Sequence, residues 1–131
     1  MESIPRDVVV RRLYAALDGR DTTALTALFD EASVLHLAGA SGLAGDYQGA
    51  EAIAGLLRLM ADLTGGSLHY GAAQSANDRH GRVVFQGRAI AERRGRRLIT
   101  AVRIVATVEG GVVSEATVSY EDQPLADAFW S

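Results

Sequence analysis

The hydrophobic period of this chain changes once, near Ser67, and that change constrains its architecture more than any single motif. Before it, apolar residues recur every three or four positions, as on one face of a helix. After it they alternate, as on one face of a strand. Helices followed by long alternating strands define an α+β fold in which the sheet must bury one face against the helices.

The helical part reads in three pieces. Val9, Val10, Leu13 and Leu17 predict a first helix that Gly19 ends, with Pro5 suited to its first turn. Asp21 is an N-cap for a second helix carrying Leu25, Leu28 and Phe29 on one face. Positions 32–37 read as a strand, positions 39–45 as a glycine-rich loop, and Asp46-Tyr47-Gln48 as a short segment. A third helix over Ala50–Leu63 buries Ile53, Leu56, Leu57, Met60 and Leu63. Gly55 inside it costs up to about 1 kcal/mol relative to alanine, which predicts a close approach by another backbone.

Strands are expected at 67–77, 82–93, 96–108 and 112–121, with turns at 77–81, 94–95 and 109–111. Parity separates their faces. The inward set is Leu68, Tyr70, Ala72 and Gln74, then Val83, Phe85, Gly87, Ala89 and Ala91. It continues with Leu98, Thr100, Val102, Ile104, Ala106 and Val108, then Ser114, Ala116, Val118 and Tyr120. The outward set of the third long strand includes Ile99, Ala101 and Val105. It is apolar enough to predict a second subunit, a homodimer through the outer sheet face. Positions 124–131 read as a short tail holding Phe129 and Trp130.

Composition narrows the function. A single domain over 1–131 has room for one core. A formal net charge of −3 argues against nucleic acid, and no apolar run approaches membrane-spanning length. No signal peptide is visible, so a cytoplasmic location is expected. The chain has no cysteine, and His36, His69 and His80 lack metal-ligand spacing, so neither a metal nor another cofactor is expected. The basic run Arg93, Arg94, Arg96 and Arg97 reads as a hairpin tip, with an anionic partner as the alternative.

Several stretches resemble the nuclear-transport-factor-2-like superfamily, and more narrowly its SnoaL-like polyketide cyclases and ketosteroid isomerases. They are Leu13-Tyr14-Ala15-Ala16-Leu17 with Asp21, then positions 27–34 (ALFDEASV), then Gly45-Asp46-Tyr47-Gln48-Gly49 with Ile53. Positions 111–115 (GVVSE) and the ending Asp127-Ala128-Phe129-Trp130 complete the set. The resemblance implies a cone: a strongly curved mixed or antiparallel sheet with about three N-terminal helices, enclosing an apolar pocket. It also puts His36 where the isomerases carry their general base. The pattern departs at Leu13 and near Ile104, where those enzymes have oxyanion donors.

An imidazole in such a pocket can donate or accept a proton near neutral pH. On that reading His36 is the acid/base, and Tyr70, Tyr120 and Tyr14 orient substrate or stabilise developing charge. The parity of the first strand leaves this open, since Ser33, Leu35 and Leu37 could equally be its inner set. The expected lining is Leu13, Leu17, Tyr47, Ile53, Leu57, Met60, Phe85, Ala89, Val102, Ile104, Val118 and Trp130. The expected function is a cofactor-independent isomerase, cyclase or dehydratase acting on a hydrophobic carbonyl or polyketide-like molecule. The alternative is a non-catalytic small-molecule-binding or dimerisation module of the same fold.

Overall fold

The computed structural model describes residues 6–19, 22–77 and 82–131. The element order is α1 (Arg6–Gly19), α2 (Thr22–Ala27), β1 (Val34–Leu37), β2 (Gly45–Gln48), α3 (Ala50–Leu63), β3 (His69–Asn77), β4 (Val83–Arg93), β5 (Arg96–Glu109), β6 (Val112–Tyr120) and α4 (Gln123–Trp130). Pro5, Asp21, His80 and most of the 77–81 turn lie outside the described residues.

Six strands form one mixed sheet in the order β2-β1-β6-β5-β4-β3. The three hairpins among β3 to β6 are antiparallel. The parallel pair is β1 with β6, His36 lying opposite Thr117. β2 is an edge strand that pairs antiparallel with β1 alone, Asp46 opposite His36.

Alternation on β4 and β5 follows the apolar pattern. Val83, Phe85, Ala89, Ala91, Leu98, Val102, Ile104, Ala106 and Val108 are buried, and Thr100 is buried with them. They pack in one cluster with Val9, Leu13 and Ala16 of α1, Ile53, Leu56 and Met60 of α3, and Ala126, Phe129 and Trp130 of α4. Roughly 25 cal/mol per Å² of apolar surface removed from water drives this assembly.

Several expectations change. The chain opens with two helices rather than three; the third follows β2, and a fourth closes the fold. What read as a tail is α4, capped by Asp122, whose Oδ1 accepts from the Leu125 N–H at 3.2 Å, with Pro124 in the first turn. Gln74 faces out, because the β3 register slips between Gly71 and Gln74. A second irregularity at Thr107/Val108 turns Val113 inward in place of Ser114.

Gly55 is exposed, and a Cβ there would meet nothing within 4 Å. The expected close backbone approach is therefore absent, and the glycine is a local cost in α3.

Candidate functional site

An apolar cavity lies between α1, α3 and the inner face of the sheet. It is lined by Leu13, Leu35, Leu37, Leu56, Leu57, Met60, Tyr70, Ile104, Ala116 and Val118, and its free volume is about 20 Å³. That is room for little more than one water, far below the roughly 300–1,000 Å³ of ordinary ligand pockets. The chamber expected from the sequence is thus nearly filled by its own leucines and methionine.

Leu13, Leu57, Met60, Tyr70, Ile104 and Val118 stand where expected. Leu35, Leu37, Leu56 and Ala116 were missed as lining. Ile53, Phe85, Ala89, Val102 and Trp130 are core residues that do not line this cavity, and neither does Tyr47. Tyr47 is half-buried near the loop before β2, and its hydroxyl donates to the Leu43 carbonyl. Tyr14 and Leu17 belong to α1, but their side chains lie outside what is described.

His36 requires the main correction. Leu35 and Leu37 flank it on a four-residue strand, and both point into the cavity. Strict alternation then puts His36 on the opposite, outer face. There Nδ1 donates to Asp46 Oδ1 at 2.6 Å and Nε2 donates to Glu115 Oε2 at 3.0 Å. Both ring nitrogens donate only in the imidazolium form. The hydrogen bond to Asp46, then that to Glu115, raises the imidazole above its ordinary pKa of 6.5, against a smaller opposing effect of burial. The side chain is about one-third exposed and its partners more so, so solvent screens the cluster. Among the described residues no carboxylate or imidazole lines the cavity.

Three buried side chains with polar ends meet beside the cavity, from β3, β6 and α4. Tyr70, Tyr120 and Trp130 are 4%, 5% and 3% exposed. The Tyr120 hydroxyl faces Trp130 and Tyr70, close enough for both to lower its pKa in part without completing an aligned hydrogen bond. Burial dominates and pushes Tyr120 up to about 12, so the phenol is a neutral donor at any physiological pH. The Tyr120 hydroxyl and Trp130 Nε1 are both buried without a hydrogen-bond partner. Each such group costs about 1–3 kcal/mol. Tyr70 joins this pair to the cavity, since it lines the cavity and neighbours Tyr120.

No group of three or more His, Cys, Asp or Glu side chains among the described residues is placed to hold a metal ion. No helix there is long and apolar enough to cross a membrane.

A six-stranded mixed sheet packed on one face by helices, with an apolar interior, defines the cystatin-like or nuclear-transport-factor-2-like class of α+β proteins. The chain belongs to one family with Bal32a, a protein from a soil-derived mobile gene cassette, and shares the nuclear-transport-factor-2-like fold. The two are 35% identical over 96% of each chain, with a TM-score of 0.90. A Xanthomonas campestris protein of unknown function with a cystatin-like fold is 19% identical over 98% of this chain and 99% of its own, TM-score 0.90. TerC, co-crystallised with polyporic acid, is 17% identical over 98% of this chain and 100% of its own, TM-score 0.80. More distant structures of the fold are described as ketosteroid isomerase-like, polyketide cyclase and isomerase proteins. No family model and no curated protein matches the chain.

Proposed function

We propose that this protein takes a small, largely apolar molecule into the interior of the fold and holds it by a carbonyl oxygen. The observation that carries the reading is the pair of unpartnered buried donors, Tyr120 O–H and Trp130 Nε1–H, adjoining the cavity through Tyr70. A carbonyl oxygen supplies the acceptor both lack. Met60 in the wall is unbranched and flexible, and its movement would open the cavity beyond its small free volume. Donors aimed at a carbonyl stabilise an enolate, the charge that develops in isomerisation, cyclisation or dehydration. That chemistry accords with the cyclase and isomerase descriptions of distant relatives.

A second reading, a non-catalytic binding module, is favoured by the absence of a base among the described lining residues. One probe separates the two. Under the enzymatic reading 3-cyclohexen-1-one is converted to its conjugated isomer, followed by ultraviolet absorbance, and Tyr120→Phe slows conversion about 100-fold. Binding without conversion supports the module instead.

We also propose a homodimer through the outer sheet face. Ile90 and Ile99 lie directly opposite each other there, 37% and 40% exposed. Such a pair is the centre of an apolar strip that a second copy would cover.

A further inference from the structure

The arginine-rich turn between β4 and β5 is not accounted for by the interior site. Arg94 and Gly95 form its tip with φ of +52° and +75°, a geometry that favours Asn-Gly. Arginine in the left-handed region is strained, and here it places a guanidinium at the tip. Arg93 and Arg96 are register partners on either side. All three line a surface hollow of about 180 Å³ together with Phe129 and Ser131.

The described lining of this hollow carries three arginines and no acidic side chain. Arg97 pairs with Glu92 at 3.0 Å and is satisfied. Arg93 Nη1 donates only to main-chain oxygens, of Phe129 at 3.0 Å and Ser131 at 3.3 Å. Arg96 Nη1 donates to the Ala128 carbonyl at 3.2 Å. These contacts cap the C-terminal end of α4, where cations are favoured. They leave Arg93 Nε–H buried without an acceptor. Arg94 has neither hydrogen bond nor ion pair among the described residues. Three cations therefore share one hollow in which no acidic side chain stands among the described lining residues, and the Ser131 carboxyl oxygen at 3.3 Å from Arg93 Nη1 is the anionic group beside them.

We propose that this hollow is an anion site for a phosphate monoester group. Arg94 and the uncommitted donors of Arg96 provide forked N–H contacts that match phosphate oxygens. Arg93, committed to α4, holds the wall and adds charge. The hollow also adjoins the interior site: Phe129 lines it and packs edge-on against Trp130, ring centroids 4.9 Å apart. The proposal stands on the arginines alone and does not depend on the carbonyl reading.

Inorganic phosphate is the minimal probe, titrated into the full chain at constant ionic strength with chloride as the balancing anion. The Arg93 Nε–H and Trp130 indole N–H resonances report the site. The expected result is a saturable shift in the millimolar range that chloride does not produce. Arg94→Ala, at an exposed position that supports no packing, is expected to weaken binding at least about three-fold. Arg94→Ala combined with Arg96→Gln is expected to abolish it. A wild-type spectrum unmoved by phosphate would overturn the proposal. So would an Arg94→Ala protein that binds phosphate as wild type does.

Discussion

His36 Nδ1 lies 2.6 Å from Asp46 Oδ1, directly across the β1–β2 pair, and Glu115 closes the other side of the same ring. This arrangement ties an edge strand to the sheet through a protonated imidazole. Because folding raises the His36 pKa, its contribution is fully present below about 6.5 and is lost as pH rises through the higher folded-state value. The melting temperature of wild type relative to Asp46→Asn should therefore be most elevated in mild acid and converge at alkaline pH. A gap that grows with pH would contradict the assignment.

Ser33 anchors the entry to β1. Its hydroxyl donates to the Val113 carbonyl at 2.7 Å and accepts from the Asp30 N–H at 2.9 Å, in a fully buried position. Ser33→Ala strands both main-chain groups and should cost about 1–3 kcal/mol in denaturant unfolding.

Two glycines should respond in opposite directions. Gly55→Ala removes a helix-interior glycine from an open site and should stabilise by up to about 1 kcal/mol. Gly39 has φ +107°, and an added Cβ would collide with the Asp127 and Gln123 side chains of α4. Gly39→Ala should destabilise by about 1–3 kcal/mol or more, read from the same unfolding curves.

The dimer proposal makes its own test. Ile99→Asp places a charge on the exposed strip beside Ile90, and light scattering should show monomer where wild type shows dimer. Equal masses for the two proteins would remove the proposed interface.

Much of this fold was legible in the residues. Positions with strict period-two apolar alternation, Val83 to Ala91 and Leu98 to Val108, gave correct faces because burial on one side of a strand leaves no freedom of parity. Gln74 and Ser114 went wrong where register irregularities intervene, and no residue type there announces a bulge. The short α4 was marked only by Asp122, Pro124 and the spacing of Ala126, Phe129 and Trp130. His36 is the instructive miss. Leu35 and Leu37 already pointed to the true parity, but the family resemblance outweighed that local signal. The convergence of Tyr70, Tyr120 and Trp130 depends on three separate elements and could not be read from spacing.

The central claim is that Tyr120 and Trp130 wait for a carbonyl oxygen. Trp130 is the one tryptophan in the chain, so its indole N–H gives a single resonance. Titration with cyclohexanone should move that resonance downfield and saturate, and Tyr120→Phe, which removes one hydrogen bond of about 1 kcal/mol, should weaken the affinity several-fold while leaving stability equal or higher. An indole resonance that stays fixed at saturating ketone would contradict the account.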